Sequence, residues 1–119
     1  MIDHVGIGVT DIAKAKDFYA KALKPLGIAI IMEFPEAVGL GEPGKAFFWL
    51  GQDKASLAHI AFAAKDRAAV DAFYKAAMAA GGKDNGGPGL RPQYHSNYYG
   101  AFVLDPDGHN IEAVCHAPE

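Results

Sequence analysis

The chain has 119 residues, half of them hydrophobic and 21% charged, with a net charge of -3. That is enough chain to bury one core, and its acidic balance leaves no basic surface for nucleic acid or an anionic membrane. No apolar run approaches the roughly 18 residues that span a bilayer, the start MIDHVGIGV has no signal-peptide pattern, and the single cysteine, Cys115, fits a reducing cytoplasm as a small buried hydrophobe.

Ile2–Val9 alternates, with His4, Gly6 and Gly8 on one face and Val5, Ile7 and Val9 on the other. This predicts a strand with one crowded and one nearly bare face. Asp11 is a candidate N-cap, and Ile12, Ala15, Phe18, Tyr19 and Ala22 have helical spacing. Residues 12–24 therefore read as an amphipathic helix, stopped by Pro25 and Gly27. Gly27–Phe34, Ala37–Leu40 and Lys45–Leu50 read as strands, with Glu42, Pro43 and Gly44 as the turn before the last. Trp49 has the opposite parity to Phe48 and is assigned to the core.

The order then restarts. Leu57–Ala64 alternates, with His59, Ala61 and Ala63 opposite Ile60 and Phe62. Asp66 caps a helix running to about Ala80, and Gly81 and Gly82 end it. An offset of 55 takes His4 to His59, Asp11 to Asp66, Phe18 and Tyr19 to Phe73 and Tyr74, and Gly27 to Gly82. Identical residues in one register point to an internal duplication. A loop rich in glycine and proline follows (Asn85–Pro92), then a closing hairpin of Gly100–Leu104 and His109–Cys115 around Pro106, Asp107 and Gly108.

Glu112 is a carboxylate inside an otherwise apolar strand, and such a group needs a partner. His4 and His59 sit on the bare faces of duplicated strands, around a pseudo-two-fold axis. Two neutral imidazoles and one carboxylate can hold a divalent metal with coordination positions open. Aligning the turns Gly44 and Gly108, an offset of 64, sets Phe48 opposite Glu112, which makes Phe48 a substrate-contacting wall of the cup. Between Leu90 and Phe102 the chain gathers Arg91, Tyr94, His95, Tyr98 and Tyr99. Arg91 suits a carboxylate or phosphate, His95 and Tyr98 suit acid–base roles, and Tyr94 and Tyr99 suit substrate binding. Parity turns only one of Tyr98 and Tyr99 inward. His109 and His116 read as surface.

The stretches HVGIGVTDIAKAKDFY, HIAFAAKDRAAVDAFY and LDPDGHNIEAV resemble the vicinal oxygen chelate superfamily, which includes glyoxalase I, bleomycin-resistance proteins, fosfomycin-resistance enzymes and extradiol dioxygenases. The resemblance implies a single α+β domain of two tandem βαβββ modules, about 1–54 and about 55–119, whose mixed sheets curl into a metal-binding cup. It puts His4, His59 and Glu112 on metal-ligand positions for one divalent ion (Fe, Mn, Zn or Ni). It implies a homodimer, with the site built within one chain or across two. The implied activity is that of a mononuclear metal enzyme, a lyase/isomerase or a dioxygenase, on a small substrate chelated through adjacent oxygens. Glyoxalase I carries a further glutamate ligand where the alignment puts Phe48, which disfavours authentic glyoxalase I. The alternative is a metal-free binding or sequestering protein of the bleomycin-resistance type.

Overall fold

The structure, a computed structural model, describes residues 2–54 and 56–119. The expected boundary between halves, at 54–55, touches Ala55, which lies outside the described residues. The first half runs β1 (Val5–Val9), α1 (Ile12–Ala22), β2 (Ala29–Phe34), β3 (Ala37–Glu42) and β4 (Lys45–Gln52). The second runs β5 (His59–Ala63), α2 (Arg67–Ala79), the two-residue strands β6 (Lys83–Asp84) and β7 (Gly89–Leu90), then β8 (Tyr99–Leu104) and β9 (Asn110–Cys115). One sheet has the order β1-β4-β3-β2 and the other β5-β9-β8-β6, with β7 also on β8. In each, the strand before the helix pairs in parallel with the last strand of its half. This is the expected α+β fold of two βαβββ modules with open mixed sheets. Among the described residues no helix is long and apolar enough to cross a membrane.

Both helices start as the sequence indicates. The Asp11 carboxylate accepts from Lys14 N at 3.1 Å, and that of Asp66 from Ala69 N at 2.8 Å. Each cap satisfies a backbone donor that a helix N-terminus leaves orphaned. A short 3₁₀ turn, Lys24–Leu26, follows α1 and ends on Gly27 at φ 79°. Left-handed backbone of this kind costs glycine little. Gly82, its repeat partner, serves differently: a Cβ there would lie 2.4 Å from Val103 Cγ1. Glycine at that point lets the end of α2 close onto β8.

The helices pack together and against one face of each sheet. Ile7, Val9, Phe18, Phe62, Phe73 and Ile111 are buried between them, as the alternation requires. Phe48 sits at the centre of this core, fully buried, with its ring edge-on to Tyr19 at 5.1 Å and to Phe62 at 5.2 Å. It therefore joins the cores of the two modules and does not line a substrate cavity. Trp49 takes the opposite side, on the open face of the first sheet, stacked with Phe34 at 6.4 Å. The expected assignments of these two residues are thus reversed. The cause is register: β1 pairs Gly6 with Trp49, while β5 pairs Ala61 with Glu112. Gly6 and Ala61 are repeat equivalents, so Trp49, not Phe48, is the counterpart of Glu112.

A second correction concerns His109, which is fully buried. Its Nδ1 accepts from Ala58 N at 3.0 Å, and its Nε2 donates to Gly8 O at 2.9 Å. Tyr19 OH donates to Asp105 at 2.6 Å, and Thr10 donates to Asp107 through its hydroxyl and its backbone N–H. Burial first, and the Asp105 carboxylate second, raise the Tyr19 pKa, so this phenol keeps its proton. The turn at 105–109 is thus a polar bridge from the second module into the first.

Candidate functional site

The open face of the second sheet is built by parity. His59, Ala61, Asn110, Glu112, Gly100 and Phe102 point to the side away from the helices. His59 and Ala61 are exposed and Phe102 and Asn110 half-buried, but Glu112 is only 1% exposed. The His59 Nε2 lies 2.8 Å from one Glu112 oxygen, and Tyr98 OH donates to the other. Gly100 makes room for this: a Cβ there would sit 3.2 Å from the Tyr98 ring and 3.3 Å from the Glu112 carboxylate. These partners are an imidazole and a phenol, neither a permanent cation. A buried carboxylate so partnered is costly.

Above it lies a cavity of about 340 Å³ lined by His59, Tyr94, Tyr98, Phe102 and Glu112. Tyr98 therefore resolves the parity question and faces the cavity. Desolvation, then the bond to Glu112, push its pKa up to about 12. A raised phenol pKa stabilises the fold while the phenol is neutral. That contribution is intact below the ordinary value of about 10 and is lost as pH climbs towards about 12. In metal-free protein, the stability gap between wild type and Tyr98→Phe is expected to narrow from pH 9 to 12, followed by urea unfolding. A gap that stays constant across that range contradicts the assignment.

The other sequence candidates separate. Tyr99 points to the helix side, where its OH donates to Asp71 at 2.6 Å and Arg67 covers its ring at 5.1 Å. It is not a cavity residue. Tyr94 stands on the rim, edge-on to Tyr98 at 4.9 Å. His95 lies behind Tyr98, stacked on His116, with their facing nitrogens 2.6 Å apart. Arg91 flanks the same face, with its guanidinium over Phe102 at 5.3 Å.

His4 stands apart from the His59–Glu112 pair. Both histidines line a cavity of about 490 Å³ between β1 and β5, the edge strands of the two sheets. Yet the His4 ring bonds Asp3 at 2.8 Å and is 60% exposed. Among the described residues, the one group of three candidate ligands within 4.8 Å of one another is Asp105, Asp107 and His109. That spacing would suit a metal. Sequence reasoning missed this group, because the turn read as punctuation. Its hydrogen bonds make it a structural bridge: both His109 nitrogens and both carboxylates already have protein partners. The His59–Glu112 pair is a second candidate for a cation. Its donors are an imidazole nitrogen and a carboxylate oxygen at cis-ligand spacing, they face a cavity, and a cation there would offset the buried charge.

The Glyoxalase/Bleomycin resistance protein/Dioxygenase superfamily model matches residues 1–113. The chain belongs to this superfamily. A glyoxalase/bleomycin resistance protein from Albidiferax ferrireducens T118 has a similar structure, with a TM-score of 0.84 and 29% identity, over 98% of this chain and 99% of that one. A glyoxalase/bleomycin resistance protein/dioxygenase family enzyme from Burkholderia phytofirmans PsJN superposes with a TM-score of 0.75 at 22% identity, over 97% and 98% of the two chains. A lactoylglutathione lyase from Agrobacterium tumefaciens gives 0.72 at 18%, over 97% and 92%. The latter two likenesses concern the fold alone. No curated protein gives a significant match.

Proposed function

We propose that this superfamily member is a mononuclear divalent-metal enzyme acting on a small molecule through adjacent oxygens. The observation that carries this reading is Glu112, buried at 1% exposure beneath a cavity and paired with His59. His59, Glu112 and a His4 would hold the ion, which when bound supplies a Lewis acid for oxygens developing negative charge. The chain's own groups do the rest. Tyr98 keeps its proton and can turn it from the Glu112 carboxylate to a substrate oxygen beside it. His95, stacked on the exposed His116, can exchange protons with solvent behind Tyr98. Phe102 and Tyr94 wall the cavity and exclude water from one side.

The His4 is proposed to come from a second copy. His4 and His59 are repeat equivalents at the outer edges of β1 and β5, and each is more than half exposed. Beside them stand Ile2 and Leu57, 83% and 78% exposed and again 55 apart. A two-fold axis would set the Ile2 of one chain against the Leu57 of the other, as an isologous contact requires. Mixing tests this. His4→Ala and Glu112→Gln are each expected to lose bound metal as pure proteins. Refolded together they should recover about a quarter of the sites, because half the dimers are mixed and each has one intact site. Elemental analysis after expression and after mixing gives the readout. No recovery, in a chain that binds metal as wild type, rejects the shared site.

A second reading has one observation behind it. Trp49 reaches over Gly39, where a Cβ would come within 2.8 Å of the indole, and stacks with Phe34. Such an aromatic shelf suits metal-free sequestering of a flat molecule. Wild-type protein free of metal after reconstitution with iron, manganese, zinc and nickel in turn would favour it. A cytoplasmic setting accompanies either reading, from the single free Cys115.

A further inference from the structure

Arg91 and Arg67 are the two arginines of the chain. Arg67 pairs with Glu119 at 3.2 Å. Among the described residues Arg91 pairs with no carboxylate. It is nonetheless held. Nη2 donates to Gly87 O at 2.8 Å, and the guanidinium lies over the Phe102 ring at 5.3 Å. Two glycines admit it: a Cβ on Gly86 would come within 3.2 Å of Nη2, and one on Gly89 within 3.1 Å of Nη1. A half-buried guanidinium set in place by its own loop, with donors left over, is prepared to receive an anion.

The space it faces is a cavity of about 290 Å³ lined by Asn85, Gly86, Arg91, Tyr94, Phe102 and Asn110. Asn85 Nδ2 donates to Asn110 Oδ1 at 3.2 Å, which orients the Asn110 side chain and leaves its own NH2 as a donor. This cavity and the one over Glu112 share Tyr94 and Phe102. Asn110 and Glu112 are neighbours on the same face of β9, two residues and so about 7 Å apart.

We propose that Arg91, with Asn110, forms an oxyanion subsite, so that the substrate is a small acid. Its carboxylate or phosphoryl group rests on the guanidinium. Its vicinal oxygens, about 7 Å away along the strand, reach the Glu112 end across Phe102. That separation corresponds to a spacer of a few bonds. This inference rests on the chelating role proposed for the Glu112 end, and the test separates the two.

Zinc-loaded wild type and Arg91→Gln are titrated calorimetrically with acetohydroxamate, which is neutral, and with the monohydroxamates of succinate, glutarate and 3-phosphonopropionate. Wild type is expected to bind the acids about tenfold to hundredfold more tightly than acetohydroxamate, the range of a charge-assisted hydrogen bond. Arg91→Gln should erase that advantage and leave the acetohydroxamate affinity unchanged. The carboxylate and phosphonate arms identify the preferred anion. Metal-free protein is then titrated with succinate and with inorganic phosphate while the Arg91 Nε–Hε signal is followed by NMR. A shift there without any hydroxamate binding supports the subsite and rejects the chelating role. Equal affinity for neutral and acidic hydroxamates, with the Arg91 signal unmoved, overturns the subsite and leaves the chelating role standing. No response in either titration rejects both.

Discussion

Replacing Glu112 with Gln is expected to lower metal affinity by more than the roughly 10–100-fold that loss of an outer partner costs, with the fold retained. The change is nearly isosteric. Glu112 is 1% exposed, so a smaller residue would leave a void, but Gln fills the same volume. Its amide oxygen can still accept from Tyr98 OH, and His59, more than half exposed, can turn to accept from the new NH2. What disappears is the negative charge and its second acceptor oxygen, which a hard or borderline cation requires. Tyr98→Phe provides the scale, since Tyr98 touches Glu112 and not the proposed ion. It should cost within that outer-partner range. Competition titration with a metal-responsive dye measures both. An unchanged affinity in Glu112→Gln removes Glu112 from the site, and an unchanged melting curve shows that the fold is not the cause of any loss.

The second large effect compares two neighbours. Phe48→Glu should prevent or severely weaken folding. Phe48 is wholly buried among Tyr19, Phe62 and the rest of the core, and an unpaired buried charge there costs about 3–5 kcal/mol or more. That is a large part of a typical total of about 5–15 kcal/mol. Trp49→Glu, one residue on, should fold. It gives up stacking with Phe34, worth about 0.5–1.5 kcal/mol, and places a carboxylate on the open face. The new carboxylate would stand to His4 as Glu112 stands to His59, because Trp49 pairs with Gly6 as Glu112 pairs with Ala61. Tighter metal binding by Trp49→Glu, together with loss of soluble folded Phe48→Glu, is the expected pair of results, read by circular dichroism and metal titration. A stable Phe48→Glu with raised affinity would instead restore the glycine-to-glycine alignment.

That alignment shows where the sequence was legible and where it was not. The halves were readable because their signals are local: an aspartate cap, an aromatic pair at helical spacing, and strand alternation that leaves His4 and His59 on bare faces. The cores follow from the same alternation. Register between strands is not local. The turn from β3 to β4 has two residues, Pro43 and Gly44, and the turn from β8 to β9 has five, 105–109. A bulge also interrupts the pairing between Leu40 and Gly41. Glycine therefore marks a bend in both halves without marking the same place in the ladder, and a slip of one residue exchanges the two faces of a strand. Tyr98 was legible as one of an adjacent pair, and only β8 decided which one faced inward. Arg91 was visible as a cation, but its glycine-walled setting depends on the path of Gly86–Gly89. His109 and Asp105 were missed for a related reason. Their partners, Gly8, Ala58 and Tyr19, lie far away in sequence, and nothing in a turn motif announces them.

The buried imidazole of His109 has a consequence for the site it never touches. It grips Ala58 N, while Ala58 O receives Asn110 N at 2.8 Å. The first residue of β5 follows Ala58, and the first residue of β9 follows His109. One ring thus sets how far β9 slides along β5, and so the spacing of His59 and Glu112. Its other nitrogen is anchored on Gly8 in the first module. The first module thus helps to hold the strand register of the second. The spacing of His59 and Glu112 is held from the rear of the sheet, by a residue with no view of solvent.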